Sequence, residues 1–343
     1  MKTSLLPFLL FAAFSLPGLA EENPGAPAPQ VEIARFAGNR VAAVSYTFDD
    51  GTLGHYTVAA PTLEKYGFRG TFGIVVSRTA DDPEAAQKLA GPNVVRRTSW
   101  KEWRELAAKG HEICNHGMEH KGLPSLNDAG LEREVNEAAR IITGKMGCRP
   151  LSFIYPGNGR NPQVREFVMK NHIAVRDREQ RFGGPDFNVD KANGIIDKAI
   201  KNKEAIVIMT HAVAEAGYQP ISREDLDGHL LHVSAIKDKI WVDTLASVGR
   251  YVRERDAAKI TIKAQAANQV TFSLACLLDP KLFNAPLTCV VHAGGQVVPD
   301  SVQCERGGIA LPAVIAGDKV LVDVVPGAGQ VTVRWANQAG STK

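Results

Sequence analysis

The sequence predicts an α/β domain followed by a small all-β domain. Between residues 41 and 256, short apolar runs alternate with segments of helical periodicity. This alternation is typical of parallel strands joined by crossover helices, in a barrel or an open sheet. Beyond residue 259 the apolar runs are short, Gly and Pro turns separate them, and no long helical segment intervenes, which indicates a sandwich of antiparallel strands. The length of 343 residues is sufficient for two such domains.

The first twenty residues have the pattern of a signal peptide. Lys2 is followed by an apolar stretch over 5–16 and a small-residue exit at Gly18-Leu19-Ala20. The apolar stretch is too short to span a bilayer. We therefore predict a signal peptide at 1–20, a flexible Pro-rich leader at 21–37, no membrane span, and a secreted or periplasmic mature protein.

The predicted elements of the α/β domain, 38–256, follow from periodicity and from glycines that end helices. A helix over 56–66 stops at Gly67, one over 100–108 stops at Gly110, and the amphipathic segment 131–146 stops at Gly147. The predicted strands are 41–48, 70–76, 111–115, 151–155, 173–175 and 205–209.

The predicted C-terminal β domain covers 257–343. Its strands are 259–264, 269–275, 288–292, 309–312, 319–324 and 330–335. An exported chain with five cysteines has at least one that is unpaired, and we expect one disulfide among Cys276, Cys289 and Cys304. Cys114 is expected to be a small core residue. The net charge of +3, without a basic block, argues against a nucleic-acid partner.

Carboxylates and histidines follow two of the predicted strands. Asp49 and Asp50 end the first strand, and neighbouring side chains of an extended segment point to opposite sides, so one can face a metal while the other stays free as a base. His116 and His120, spaced i and i+4 after a later strand, can bind one ion from one face. One aspartate and two histidines leave a position for water, which is typical of a catalytic zinc site.

These residues resemble the polysaccharide deacetylases of carbohydrate esterase family 4. The family motifs are matched by Thr-Phe-Asp-Asp-Gly at 47–51, by Gly-His-Glu-Ile-Cys-Asn-His at 110–116 with His120, by Phe-Ile-Tyr-Pro-Gly at 153–157 and by Val-Ile-Met-Thr-His at 207–211. All four occur in the family's order, over residues 38 to 256, and each follows a predicted strand. The resemblance implies a distorted (β/α) barrel with its site at the carboxyl ends of the strands.

The resemblance also implies a role for each motif residue. The metal ligands would be Asp50, His116 and His120, and the ion would be divalent, with Zn²⁺ the first expectation and cobalt, nickel or iron also compatible. Asp49 would be the base and His211 the acid for the leaving group. The expected substrate contacts are Gly157, whose N–H is a candidate oxyanion donor, together with Tyr155 and Pro156.

One family feature is missing from this chain. The family usually carries an arginine just before its third-motif proline, where this sequence has Ile154 and Tyr155. We expect Arg176, at the end of the next strand, to reach across and support Asp49. The neighbouring Asp177 is a weaker candidate for orienting His211.

Three further residues have two interpretations each. His229 and His232 are spaced i and i+3 and could form a second metal site, but a solvated helix face is favoured. Trp241 could stack on a sugar or pack in the core.

The function predicted from these residues is that of an exported, metal-dependent deacetylase acting on N- or O-acetyl groups of a polysaccharide or oligosaccharide. The alternatives are a hydrolase of other carbon–nitrogen amide bonds, which the export signal disfavours, and an inactive glycan-binding barrel. The sequence leaves the glycan, the identity of the metal and the oligomeric state open.

Overall fold

The computed structural model describes residues 29–89, 95–327 and 329–338, so the predicted signal peptide lies outside the described residues. The strands are β1 (Gln30–Ile33), β2 (Ala42–Phe48), β3 (Thr71–Ile74), β4 (Glu112–Asn115), β5 (Ser152–Phe153), β6 (Ala174–Val175), β7 (Gln180–Arg181), β8 (Ala205–Thr210), β9 (Ile240–Val242), β10 (Ala258–Ala266), β11 (Gln269–Cys276), β12 (Leu287–His292), β13 (Gln303–Arg306), β14 (Ile309–Ala310), β15 (Ala313–Ala316), β16 (Lys319–Val324) and β17 (Gln330–Arg334). The α-helices are α1 (Ala60–Lys65), α2 (Pro83–Leu89), α3 (Trp100–Ala108), α4 (Asp128–Leu131), α5 (Ala138–Met146), α6 (Pro162–Met169), α7 (Val189–Asn202), α8 (Arg223–Ala235) and α9 (Leu245–Ala257).

A curled parallel sheet forms the first domain. Its strands run in the order β6-β5-β4-β3-β2-β8-β7, and β9 pairs with the first half of β2. Strands β6 and β7 are the two ends of this order, so the barrel is not closed between them. All seven residues of β2 are buried, as expected of a strand with helices covering a parallel sheet. The predicted distorted (β/α) barrel is confirmed.

The segment predicted as one helix over 131–146 has an irregular first half. It begins with α4, continues through a π-helical turn at Glu132–Glu137 and ends as α5, with Gly147 in a left-handed conformation at the C-terminus. A π-helical turn widens the helix by one residue and is frequently found at functional sites. Here it carries the buried Glu134 towards the loop that holds the histidines.

Two antiparallel sheets form the second domain. One has the order β1-β12-β16-β15 and the other the order β10-β11-β17-β13-β14. Alternate residues of β11, β12, β16 and β17 point inward and form one apolar core between the sheets, which confirms the predicted sandwich. The short strands β13 and β15 were not predicted, because four residues give too little alternation to recognise.

The prediction of a flexible leader over 21–37 is wrong for the described part of that segment. Residues Gln30–Ile33 form β1, which pairs antiparallel with β12 from Gln30–His292 to Ile33–Cys289. The N-terminal segment therefore completes a sheet of the C-terminal domain before the chain enters the barrel. The Tyr251 hydroxyl, on α9, also donates a 3.0 Å hydrogen bond to the Ala34 carbonyl.

The predicted disulfide is also wrong, since all five cysteines are free thiols. Cys276 and Cys304 lie on β11 and β13, which are separated by β17 and therefore by about 9–10 Å. A disulfide needs Cα atoms less than about 7 Å apart, so this strand order prevents Cys276 and Cys304 from pairing. Cys289 lies on the other sheet, where it is a buried free thiol.

Among the described residues, no helix has both the length and the apolar character needed to cross a bilayer.

Candidate metal-binding and acid–base site

The carboxyl ends of the parallel strands bring the predicted motif residues into one cleft of about 320 Å³. Because β2 and β8 pair in register up to Phe48 and Thr210, the residues that follow them meet at the same edge, and the Asp49 N–H donates to the Thr210 carbonyl at 2.9 Å. The cleft is lined by Asp49, Asp50, His116, His120, Gly157, Asn158, Arg176, Arg181, Met209, His211 and Tyr218.

The two neighbouring aspartates point in different directions because the chain turns between them. Asp49 continues β2 and is 1% exposed. Asp50 adopts a left-handed backbone with φ of 76°, which aspartate tolerates better than most residues, and Gly51 follows with φ of 65°. The turn sends the Asp50 carboxylate towards the histidines and leaves that of Asp49 deeper in the barrel.

Asp50, His116 and His120 have the geometry of a metal-binding triad. Their ligand atoms all lie within 4.8 Å of one another. The Asp50 Oδ1 atom is 3.4 Å from His120 Nε2 and 3.9 Å from His116 Nε2. Ligands bound at about 2.0–2.1 Å in a tetrahedron are separated by roughly 3.3 Å, so a small inward movement would complete the coordination.

The state of His116 also fits a metal ligand. Its Nδ1 atom lies 2.8 Å from the Ile154 carbonyl, to which it donates, so the lone pair is on Nε2. That Nε2 atom is buried and has no hydrogen-bond partner among the described residues. Burial lowers the pKa of His116 to about 4, which keeps the ring neutral at neutral pH. The unpaired Nε2 atom of His116, the Asp50 carboxylate and the His120 ring together form a set of donors that suits a divalent cation.

Glu134 holds the loop that carries the second histidine. Its carboxylate is 1% exposed and accepts hydrogen bonds from the backbone N–H groups of Glu119, at 3.1 Å, and Lys121, at 3.3 Å. These two residues flank His120, whose backbone is left-handed with φ of 66°. The π-helical turn therefore places a buried carboxylate where it fixes the position of the His120 backbone.

Arg176 forms the most extensive polar contact of the site. Its Nη1 atom donates to Asp49 Oδ1 at 2.7 Å and its Nη2 atom donates to Asp49 Oδ2 at 2.6 Å, and both side chains are at most 2% exposed. The same guanidinium donates to Thr47 Oγ1 at 2.9 Å and to Asn158 Oδ1 at 3.0 Å. The expectation that Arg176 reaches Asp49 agrees with this geometry, although β5, β4 and β3 separate its strand β6 from β2 in the sheet order.

The charges around Asp49 keep it ionised. Burial alone would raise the pKa of this carboxyl, but the Arg176 charge, followed by that of His116 and the hydrogen bonds from Arg176, lowers it to about 2. The pKa of Asp50 is also lowered, because His116, His120 and Arg78 together outweigh the effect of burial. Both carboxylates are therefore anionic at neutral pH.

His211 lies on the open side of Asp49. Its Nε2 atom is 3.9 Å from Asp49 Oδ2, and its ring meets that of Tyr218 edge to face with centroids 4.8 Å apart. The buried His55 lies within 2.7 Å of the His211 carbonyl through Nε2 and so fixes the backbone at this point. Asp177 does not orient His211, because it pairs with Arg165 at 3.0 Å instead.

Several residues singled out in the sequence lie away from the cleft. Tyr155 and Pro156 do not line it: Tyr155 packs in an apolar cluster against Phe153, and burial raises its pKa to about 12. Among the three predicted substrate contacts, only Gly157 faces the cavity.

The two interpretations of His229 and Trp241 are also resolved. His229 is buried between the Tyr46 hydroxyl, at 2.7 Å, and Asn193 Oδ1, at 2.8 Å, so it is a core histidine with both nitrogens occupied. His232 lies 3.3 Å from Asp197 on the surface. Trp241 packs edge to face on Tyr251, next to the sandwich, and does not line the cleft.

The structure adds residues that sequence reasoning missed. Arg78 forms a 2.9 Å ion pair with Asp50, and Arg97 donates to the Asp50 carbonyl at 2.6 Å. Asn158 links Arg176 to Glu179, whose Oε1 accepts from Asn158 Nδ2 at 3.1 Å. Arg181, Met209 and Tyr218 line the cleft. Only Met209 had a signal in the sequence, because it lies within the strand that ends at His211.

The polysaccharide deacetylase family model matches residues 38–175. This segment contains the aspartate pair, the histidine pair and the Pro-Gly turn. Residues 38–175 belong to the polysaccharide deacetylase family. Arg176, His211 and the sandwich lie beyond the matched segment of the deacetylase model.

Two curated proteins are similar to this chain. A gellan lyase from a Bacillus species is 26% identical over 343 aligned positions, which cover 88% of this chain and 13% of the relative. A chitooligosaccharide deacetylase from Sinorhizobium fredii is 29% identical over 113 positions, which cover 33% of this chain and 44% of the relative. The chain therefore spans less than half the length of either relative.

Among solved structures, a family 4 acetyl xylan esterase from Clostridium thermocellum is similar to 60% of this chain and 89% of its own, at 18% identity and a TM-score of 0.43.

Proposed function

We propose that this protein is an exported, metal-dependent deacetylase that hydrolyses N- or O-acetyl groups of a glycan. The observation that supports the proposal most strongly is that Asp49 and Asp50, although adjacent in sequence, direct their carboxylates to different partners. Asp50 faces two histidines, with which it can hold a cation, and Asp49 is held apart by Arg176 within 3.9 Å of His211. Family membership of 38–175 supports an acetylated carbohydrate as the substrate. The predicted signal peptide supports export.

Asp50, His116 and His120 would hold the cation. A divalent ion bound there supplies Lewis acidity beside the substrate carbonyl and makes a neighbouring water more acidic. The chemistry suits zinc, with cobalt, nickel and iron as alternatives.

The chain's own groups carry out the remaining steps. Asp49 accepts the proton of the attacking water, and Arg176 keeps the carboxylate ionised and fixed in orientation. His211 donates a proton to the departing amine or alkoxide. The Gly157 N–H is the candidate donor to the oxyanion, and Met209 offers an apolar contact for the acetyl methyl group.

Acetate release tests the proposal. The protein is incubated with acetylated xylan, chitin oligosaccharides and peptidoglycan fragments, and acetate is measured enzymatically. We expect release from at least one of these, and a much lower rate for Asp49→Asn. The exposed Asp81→Asn variant, which does not line the cleft, is the matched control and should have the wild-type rate. Absence of acetate from every substrate with the protein fully loaded with metal would contradict the proposal.

A further inference from the structure

We propose that the cleft selects acetylated saccharides that carry a carboxylate, and that Arg181 and Tyr218 form the subsite for the acidic sugar. This inference rests on the proposed deacetylase function and names the substrate class for it. Both residues line the same cleft as the aspartates and histidines. The sequence motifs assign no role to either of them.

The charge balance of the cleft points to an anion. Its two carboxylates are already compensated, since Asp49 pairs with Arg176 and Asp50 pairs with Arg78. Arg181 also lines the cavity, and within the described parts of the chain no ion pair joins it to a carboxylate, since Glu179 is bonded to Asn158 instead. Its exposed guanidinium therefore adds a positive charge that no ion pair neutralises, and a bound cation would add further positive charge to the cleft. A planar guanidinium fork matches a carboxylate better than a hydroxyl group.

Tyr218 supplies the apolar half of the same subsite. It is 61% exposed, although it is a large aromatic side chain at the mouth of a cavity. Its ring meets His211 edge to face, at an interplanar angle of 87°. An aromatic ring held in this way next to the proposed acid can pack against the face of a sugar whose acetyl group lies deeper in the cleft.

Backbone contacts hold the two residues on one rim. Next to Arg181, the Phe182 N–H donates to the Met209 carbonyl at 2.9 Å. The Gly184 N–H donates to the Pro220 carbonyl at 2.9 Å, two residues after Tyr218. Gly183, with φ of 107°, lies so close to this loop that a Cβ atom would be 2.2 Å from the Gln219 carbonyl oxygen. The positions of the guanidinium and the aromatic ring are thus coupled through packed backbone.

The carboxylate of the substrate could belong to a uronic acid or to a lactyl ether on an amino sugar, since both present the same group to a guanidinium. The test therefore uses two pairs of substrates. One pair is acetylated xylo-oligosaccharides with and without a glucuronate branch. The other is an N-acetylglucosamine disaccharide and the corresponding disaccharide with one N-acetylmuramic acid. The value of kcat/KM for acetate release is measured for each.

We expect the acidic member of at least one pair to be preferred, with an acidic-to-neutral ratio that falls about fivefold to tenfold in Arg181→Gln and decreases with added salt. Arg178→Gln is the matched control, because Arg178 is exposed on the same segment but lines a different depression with Val175 and Ile206. Its ratio should equal that of the wild type. The pair that shows the preference identifies the source of the carboxylate.

Equal kcat/KM for the acidic and neutral members of both pairs, or an unchanged ratio in Arg181→Gln, would overturn the inference while leaving the deacetylase function in place. A second measurement does not depend on turnover. Calorimetric binding of the deacetylated acidic and neutral products to the wild type and to Arg181→Gln should show the same preference and the same loss. If no acetate is released but the acidic product still binds more tightly than the neutral one, the proposed reaction alone is refuted. If the two products bind equally well, the acidic subsite is refuted.

Discussion

Replacing Arg176 by lysine tests whether the buried guanidinium supports the base. The wild-type side chain makes two charge-assisted bonds to Asp49 and one bond each to Thr47 and Asn158. A lysine ammonium retains the charge but cannot reproduce the fork. Loss of one charge-assisted hydrogen bond corresponds to about 1.5–3 kcal/mol, so kcat for acetate release should fall roughly tenfold to a hundredfold. Bound metal, measured by mass spectrometry of the native protein, should be unchanged because Arg176 is not among the proposed ligands.

Arg176→Met removes the positive charge as well as the hydrogen bonds to Asp49. Burial then acts on Asp49 unopposed by its strongest cationic partner, so the pKa of the carboxyl rises from about 2. If Asp49 is the base, as proposed, it is active only when ionised, and activity is lost as the pH falls through that pKa. The acidic limb of the profile of kcat/KM against pH should therefore move to higher pH in this variant.

Stability should respond to Arg176→Met as well. The lowered pKa of Asp49 contributes stability that is present above the unfolded pKa and is lost as the pH falls towards about 2. Breaking the buried pair should cost about 3–5 kcal/mol of unfolding free energy at neutral pH. Wild-type turnover in Arg176→Lys, or loss of metal from it, would show that Arg176 does not act through Asp49.

Three further predictions address the ligands, their support and the core. His116→Ala should abolish metal binding and activity together, and full metal occupancy in this variant would refute the assignment. Glu134→Gln should weaken metal affinity about tenfold in a chelator competition, because its amide group places a donor against backbone donors. The half-buried Glu137, on the same turn, makes no hydrogen bond or ion pair with the histidine loop in the described part of the chain, and Glu137→Gln should leave the affinity unchanged. Burial lowers the pKa of His229 to about 3, so the unfolded chain binds the proton first and the unfolding free energy should fall as the pH drops below about 6.5. His229→Gln, which retains an acceptor for Tyr46, should reduce that slope in urea titrations, and an unchanged slope would contradict the buried neutral state.

Much of the fold was predictable because its signals are local. The apolar run before Asp49 and the glycines that end helices marked β2 and its neighbours to within a few residues. The parallel order of the strands then implied that their carboxyl ends meet, which is why Asp49, His116, Pro156 and His211 were expected in one cleft, and all of these except Pro156 line it. The long alternating strands of the sandwich were equally recognisable.

The missed features depend on contacts between distant segments. Strand β1 has four residues and pairs with the distant β12, so nothing near it in sequence predicts a strand. Tyr155 belongs to a motif but its ring packs in the apolar cluster behind the site, a direction that the sequence does not specify. Arg78 and Arg181 approach the site from segments without motifs, and only the folded chain brings them to it.

The most direct test of the central claim is a metal titration coupled to acetate release. The purified protein is stripped with a chelator, and zinc or cobalt is added back in steps while bound metal and acetate release from an acetylated glycan are both measured. We predict that the stripped protein is inactive and that activity returns in proportion to occupancy, reaching its maximum at one ion per chain. Undiminished acetate release by the metal-free protein would contradict the account, and so would the lack of release from every glycan after full loading.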